Sequence, residues 1–151
     1  MSRSKILTGL SLLAGVAVIA SGAAIAQDAI AKRKELMKTV GGATKTGSQM
    51  VKGEIPFDAA KAKASMDAIA SGWGDFAKQF PKGTETGSET TAAPKIWETF
   101  QDFDTQGKKM AGDAAKASVA ADQGLEPFKA AFGEVTKSCK SCHDDYRVKK
   151  K

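Results

Sequence analysis

The chain has 151 residues, of which 42% are hydrophobic, 26% are charged and only 7% are aromatic, with a formal net charge of +6. This composition is typical of one soluble globular domain and argues against a membrane protein or a disordered chain. Two cysteines are too few for a disulfide framework. Strand-forming residues are sparse and helix formers abundant, so the sequence predicts an all-α fold.

The first 26 residues have the layout of a secretory signal peptide. Arg3 and Lys5 precede an apolar run over 6–20, and small residues lead to Ala26. A membrane anchor is the alternative, but the run is shorter than the roughly 20 residues that span a bilayer. Cleavage after Ala26 predicts a mature domain of residues 27–151 in the periplasm, without a stable membrane anchor. The leader carries two of the 23 basic residues and no acidic one, which leaves a mature net charge of +4.

Two amphipathic helices are predicted in the first half of the mature chain. The first covers about 28–52, and its apolar stripe, with spacings of three and four, includes Arg33 and Met37. The second begins near Asp58, a suitable N-cap, and has an apolar face of aromatic and aliphatic residues. The segment 81–93 is rich in Gly, Thr, Ser and Glu and has no periodicity, so it is predicted as the longest loop.

Two further helices follow that loop. Proline fits a first helical position, so the third helix is predicted to begin at Pro94. The fourth runs from Leu125 to Tyr146, where apolar residues recur at three and four as in a heptad seam. Four amphipathic helices joined by short links predict an antiparallel, up-down-up-down four-helix bundle.

Residues 139–143 read Cys-Lys-Ser-Cys-His, the C-x-x-C-H pattern of c-type haem attachment. On a helix the thiols of Cys139 and Cys142 point to one side and can bind the two vinyl groups at one porphyrin edge. The adjacent His143 then reaches the iron as its proximal ligand. Both cysteines lie on the seam, so one covalently attached haem c is expected inside the bundle core.

Three other interpretations of the cysteines stay open. A thioredoxin-like dithiol would need a βαβ context and a helix N-terminus. A zinc site needs four ligands, whereas this chain has two cysteines and one histidine. A disulfide between Cys139 and Cys142 can also form after export. The export signal, the helical context, the seam position and the sole histidine favour haem.

The stripe of the first helix offers two candidate haem contacts. A cation in an apolar stripe requires an anion, which a haem propionate would supply to Arg33. The alternative is that the side chain of Arg33 extends its charge to solvent at the rim of the bundle. Met37 is expected at the distal face, with a plain core methionine as the alternative. Six aromatic residues are expected mainly in the core, with one or two also touching haem: Trp73, Phe76, Phe80, Trp97, Phe100 and Phe132.

The end of the fourth helix is strongly basic. The cluster consists of Lys137, Lys140, Arg147, Lys149, Lys150 and Lys151. Two explanations of this cluster are equally good. The charges complement the dipole at the C-terminal end of the helix, or they dock an acidic redox partner. No aromatic residues interleave with these charges, and nucleic-acid binding is not expected.

With these features the chain resembles the class II c-type cytochromes, the family of cytochrome c′ and cytochrome c-556. The resemblance covers the mature chain and rests on SCKSCHDDYR at 138–147, KGEIPFD at 52–58 and PKIW at 94–97. A haem motif near the C-terminus distinguishes this family from class I cytochromes c, which carry theirs near the N-terminus.

The resemblance implies His143 as proximal ligand, Arg33 near a propionate and Met37 at the distal position. It also implies a loop contact with haem around Thr84 and Glu85. Family members often have glutamine after that arginine. This chain has Lys34 there, so the second hydrogen bond that such a glutamine would give to the haem edge is not implied. Lys34 is still a candidate haem contact.

The family divides on whether iron has a sixth ligand. High-spin cytochromes c′ keep an open distal site that admits nitric oxide or carbon monoxide, whereas low-spin c-556 members use a methionine of the first helix. Met37 favours the second class. We therefore predict a periplasmic monohaem electron carrier that serves redox partner proteins, with a gas-binding cytochrome c′ as the alternative. The sequence offers no pair of nucleophile and general base, so no enzymatic reaction is predicted. Whether the protein forms a homodimer stays open.

Overall fold

A computed structural model describes residues 17–87 and 90–148. It contains five helices: α1 (Ala17–Val51), α2 (Ala59–Ala77), α3 (Lys95–Glu98), α4 (Phe100–Ala121) and α5 (Leu125–Tyr146). Within the described residues the β-structure is one isolated bridge between Ala92 and Arg147. The all-α prediction is confirmed.

Helix α1 begins well before Asp28, so the predicted start of the first helix is wrong for the full-length chain. Residues 17–27 are mostly alanine and aliphatic and include no proline, so helical structure continues across the predicted cleavage site after Ala26. Most of the predicted leader, residues 1–16, lies outside the described residues. Among the helices that are described, none has the length and apolarity to cross a membrane.

The third predicted helix is divided into α3 and α4. Pro94 is the N-cap of the four-residue α3 rather than its first helical residue. Thr99 leaves the helical region with φ −130° and ψ 48°, and its hydroxyl donates a hydrogen bond to the carbonyl of Lys95 at 3.1 Å. The backbone N–H of Thr99 donates to the same carbonyl at 2.9 Å, so the helix is interrupted only after this turn. The fourth predicted helix, by contrast, has the bounds of α5.

The four long helices are antiparallel in sequence order. Arg33 of α1 lies against Phe80, beyond the end of α2, whereas Val40 lies against Gly72 further back along α2. The same reversal relates α2 to α4 and α4 to α5, through the pairs Trp73–Asp104, Lys63–Ser118, Asp113–Ser138 and Gln106–Asp145. The predicted up-down-up-down bundle is therefore confirmed.

The bundle is closed where α1 ends and α5 begins. The rings of Phe128 and Phe132 stack with centroids 5.6 Å apart, and Met50 beside this end of the core is 1% exposed. Gly47 lets α5 approach closely, because a Cβ there would lie 2.7 Å from the ring of Phe132. Elsewhere α1 and α5 make few contacts. The opposite halves of these two helices leave room for the cavity that carries the candidate site.

Candidate functional site

A cavity of about 660 Å³ lies between α1 and α5, with α2, α4 and residues 90–92 completing its wall. The volume is in the range of small-molecule and cofactor sites. Much of the wall is apolar and includes Met37, Val40, Trp73, Phe76, Phe80 and Phe103. Among the described residues, the charged ones that line it are Arg33, Lys34 and Arg147, and none of these lining residues is a carboxylate.

The C-x-x-C-H segment forms one side of this cavity. Helix α5 continues unbroken through the segment, so Cys139 and Cys142 face the cavity together, with His143 beside them. Both cysteines are free and half-buried. Burial raises the pKa of both thiols, and the neighbouring Cys139 and Asp145 help to raise that of Cys142 to about 11. Both side chains are therefore protonated thiols at neutral pH.

The imidazole of His143 is kept in its neutral form. Partial desolvation at the cavity wall lowers its pKa, the positive charge of Arg147 lowers it further, and Asp144 opposes both effects. Neutral imidazole is the form that binds a metal through a ring nitrogen. Two free thiols and a neutral imidazole thus line one wall of the cavity.

Arg33 is only 5% exposed although it carries a positive charge. Its Nη2 donates to the carbonyl oxygen of Thr84 at 2.9 Å, and the guanidinium lies over the rings of Phe80 and Trp97. The Nε and Nη1 donors are buried without a hydrogen-bond partner among the described residues. Burial lowers the pKa of this guanidinium, although Glu85 raises it. Two unsatisfied donors on a buried cation call for an anion at this position.

These groups fit a c-type haem. One wall offers two thiols and an imidazole, the cavity is largely apolar, and Arg33 offers two donors that suit a carboxylate. A zinc site fits less well. In the part of the chain that is described, no group of three His, Cys, Asp or Glu side chains is arranged to hold a metal ion.

The structure brings most of the predicted site residues together. Arg33, Lys34 and Met37 line the same cavity as the C-x-x-C-H segment. Thr84 and Glu85 do not lie in its wall and instead adjoin Arg33. Thr84 is 1% exposed, and its hydroxyl donates to the carbonyl of Pro81 at 2.8 Å, which fixes the loop that holds the guanidinium.

Residues 90–92 belong to the cavity wall, although no sequence pattern predicts them there. The backbone N–H of Val148 donates to the carbonyl of Thr91, and that of Ala93 to the carbonyl of Tyr146, both at 2.9 Å. This pairing joins the long loop to the end of α5. It has no periodic sequence signal, because the two segments are far apart in the chain.

Three of the aromatic residues that were expected mainly in the core also line the cavity, namely Trp73, Phe76 and Phe80. Phe100 is 40% exposed, so its predicted core position is wrong. The indole of Trp73 takes the space that a Cβ of Gly107 would fill, since that atom would lie 1.9 Å from the ring. This close approach places Trp73 between α2 and α4.

Comparison with known proteins gives the family. The chain matches the family model of cytochrome c′ over residues 28–147. Cytochrome c-556 from Agrobacterium tumefaciens (strain II Chrys) is 41% identical over 123 residues, which cover 80% of this chain and 98% of that protein. A solved structure of cytochrome c′ from Rhodopseudomonas palustris is 42% identical with a TM-score of 0.78, over 82% of this chain and 98% of that chain.

A second solved structure is a nitric oxide complex of a variant of cytochrome c prime from Alcaligenes xylosoxidans. It is 34% identical with a TM-score of 0.73, over 82% of this chain and 97% of that chain. The sequence and fold thus agree over most of the chain, and this protein belongs to the cytochrome c′ family of class II c-type cytochromes, whose cofactor is a c-type haem.

Proposed function

We propose that this protein is a periplasmic monohaem electron carrier. The observation that carries the proposal is the shared cavity, in which Cys139, Cys142 and His143 lie with a buried Arg33 that has two unsatisfied donors. The thiols would form the thioether links and His143 would hold the iron as proximal ligand. Arg33 would donate to a propionate. The bound haem supplies a one-electron iron couple, and no catalytic step is assigned to the chain.

The protein's own contribution is a fixed, largely apolar enclosure. Trp73 and Phe80 are less than 9% exposed, and with Phe76 and Phe103 they form a connected set of ring contacts beside the cavity. Such walls exclude water and strengthen every electrostatic interaction inside.

We propose Met37 as the second axial ligand. It is half-buried on α1 and lines the cavity that also contains His143. Thioether ligation raises the reduction potential and closes the position at which a gas would bind. The alternative is a high-spin protein in which Met37 packs without binding. The nitric oxide complex of the Alcaligenes relative supports that alternative.

We further propose export and cleavage after Ala26. The match to the family begins at residue 28, just beyond the proposed cleavage site. Cleavage would remove the first part of α1 and leave Arg33 and Met37 near the new N-terminal end of that helix. Location in the periplasm would follow, where covalent haem attachment takes place in bacteria.

We propose that the redox partner binds this protein through an acidic surface. Lys34 and Arg147 line the cavity and are both exposed, and no carboxylate lines it within residues 17–87 and 90–148. Part of the basic cluster predicted at the end of α5 is neutralised within the helix, because Lys137 pairs with Glu134 and Lys140 with Asp144. Lys149, Lys150 and Lys151 lie outside the described residues. An acidic partner that docks at the cavity rim would meet the exposed positive charges there.

One expression experiment tests the proposal. The chain is produced in a bacterial periplasm with c-type maturation, and its mass and its absorption spectra in both oxidation states are recorded. We expect a mature chain starting at Gln27 with one covalent haem, a low-spin spectrum and no response to carbon monoxide. A colourless product with two alkylatable thiols would refute haem attachment. A high-spin spectrum that changes with carbon monoxide would replace the electron carrier with the gas-binding alternative.

A further inference from the structure

Two polar clusters with the same composition join neighbouring helices of the bundle. In each cluster a lysine and an aspartate four residues later on one helix meet a serine on the next helix. We name them the α5 clamp, formed by Lys109, Asp113 and Ser138, and the α2 clamp, formed by Lys63, Asp67 and Ser118.

The α5 clamp is a closed set of three short contacts, one within α4 and two between α4 and α5. The hydroxyl of Ser138 donates to Oδ2 of Asp113 at 2.7 Å, and Nζ of Lys109 donates to the same oxygen at 2.7 Å. Lys109 also donates to Oγ of Ser138 at 3.0 Å. Asp113 is 9% exposed and Ser138 is 8% exposed. Charge-assisted hydrogen bonds of this kind hold their groups in a fixed geometry.

The clamp lies directly before the C-x-x-C-H segment, and a second attachment lies directly after it. Ser138 precedes Cys139 in the chain. On the other side, Asp145 accepts a hydrogen bond from Gln106 of α4 at 2.8 Å and pairs with Lys95 at 3.6 Å. Positions 138 and 145 are one heptad apart and so share a face of α5. The haem-binding turn is thus bracketed by two polar attachments on the side of the helix that meets α4.

We propose that Asp113 and Ser138 are positioning residues that fix the rotation of α5 about its own axis. Adjacent residues on a helix point about 100° apart, so each side chain faces its own direction. Rotation of α5 about its axis would therefore turn the thiols and His143 away from the cavity. The α5 clamp prevents that rotation, because its three bonds cannot all persist when Ser138 turns away from α4. This inference rests on the proposed haem-binding role of the C-x-x-C-H segment.

The competing explanation is that the clamp only stabilises the pairing of α4 with α5. The α2 clamp separates the two explanations, because it has the same chemistry at the interface of α2 and α4. No residue of either clamp lines the cavity, but only the α5 clamp contains a chain neighbour of Cys139, namely Ser138. The carboxylate of the α2 clamp is more exposed, with 54% of the Asp67 side chain accessible against 11% for Asp113. A purely stabilising role predicts the same kind of effect from both clamps, whereas positioning predicts a haem signature from the α5 clamp alone.

The test uses four disruptive variants of the haem-loaded protein and one rescue variant. Asp113→Asn and Ser138→Ala alter the α5 clamp, and Asp67→Asn and Ser118→Ala are the matched controls. Haem content is measured first, followed by the reduction potential, the electron paramagnetic resonance spectrum of the ferric protein, and amide hydrogen exchange over residues 139–143. Ser138→Thr retains a hydroxyl and tests rescue.

We expect all four variants to unfold at a lower temperature than the unsubstituted protein. Only the α5 clamp variants should shift the reduction potential, broaden the ferric spectrum and accelerate exchange over residues 139–143, and Ser138→Thr should restore these properties. The inference is overturned if Asp113→Asn and Ser138→Ala keep the potential, spectrum and exchange at full haem content, or if the α2 clamp variants change them equally.

Failure of the proposed function gives a different result. An unsubstituted protein without covalent haem would refute haem binding, and the hydrogen exchange of residues 139–143 would still decide the role of the clamp. If Asp113→Asn does not fold, Ser138→Ala and its threonine rescue carry the same comparison, because they leave the ion pair of Lys109 and Asp113 in place.

Discussion

Arg33 donates through Nη2 to the backbone carbonyl of Thr84, fifty-one residues further along the chain, at 2.9 Å. This bond orients the guanidinium and occupies one edge of it, while the buried Nε and Nη1 find no hydrogen-bond partner in the described part of the chain. Glu85 contributes a favourable charge but does not satisfy these two donors. The loop therefore holds Arg33 ready for an anion, which accounts for a buried cation in an apolar stripe.

Arg33→Met should destabilise the haem-loaded protein more than an ordinary change of a charged residue does. The substitution keeps an unbranched side chain but removes the donors and the charge that would meet a propionate. We expect a loss of about 1–3 kcal/mol in the free energy of unfolding. The reduction potential should fall, because a cation close to the iron disfavours the ferric state. Chemical denaturation and potentiometry measure the two effects.

The matched control for that variant is Lys32→Met, one residue earlier on α1. Lys32 is exposed, and its Nζ forms an ion pair with Oε2 of Glu35 at 3.0 Å on the surface of the helix. An exposed pair of this kind contributes at most about 1 kcal/mol. Equal losses of stability and equal shifts of potential in the two variants would contradict a specific role for Arg33.

Met37→Ala should convert the iron from low spin to high spin. Removal of the thioether opens the sixth coordination position, so the reduced variant should bind carbon monoxide and its potential should fall. Met110→Ala is the control, since Met110 also lines the cavity but lies on α4. Absorption spectra with and without carbon monoxide measure the change. An identical response of the unsubstituted protein and Met37→Ala would show that Met37 is not a ligand.

Sequence patterns predicted the features that depend on residues close together in the chain. The seam of α5 and the C-x-x-C-H segment share one helix, so spacing alone placed Cys139, Cys142 and His143 on one wall. The stripe of α1 placed Arg33 and Met37 in the same way. Pairings between distant segments carry no periodic signal, which is why the wall at 90–92 was not predicted.

The same limit applies to the break within the third predicted helix. Apolar spacing continues through Thr99, so periodicity predicted one uninterrupted helix. The interruption lies in the backbone dihedrals of Thr99, φ −130° and ψ 48°, which apolar periodicity does not contain. The close approach of Trp73 to Gly107 likewise requires knowledge of how α2 crosses α4.

Acid should weaken the contact that orients Trp73. Asp104 accepts hydrogen bonds from Lys108 and from the indole N–H of Trp73, and these bonds hold the pKa of its carboxyl below the ordinary value of 3.8. A lowered folded-state pKa means that the stabilisation is present above pH 3.8 and is lost as pH falls through the lower, folded-state value. Asp104→Asn should therefore lose less stability between pH 5 and pH 2 than the unsubstituted protein. Denaturant unfolding across that range measures the difference, and parallel pH profiles would contradict it.

Gly107→Ala should be destabilising, although alanine is the better helix former. A Cβ at residue 107 would lie 1.9 Å from the ring of Trp73, so the indole or the backbone of α4 must move. Overpacking of this kind costs about 1–3 kcal/mol and outweighs the gain of up to about 1 kcal/mol in helix propensity. Gly112→Ala on the same helix has no atom within 4 Å of the added Cβ and should instead be stabilising. Thermal unfolding of both variants checks the opposite signs, and a more stable Gly107→Ala would show that the ring of Trp73 does not occupy this space.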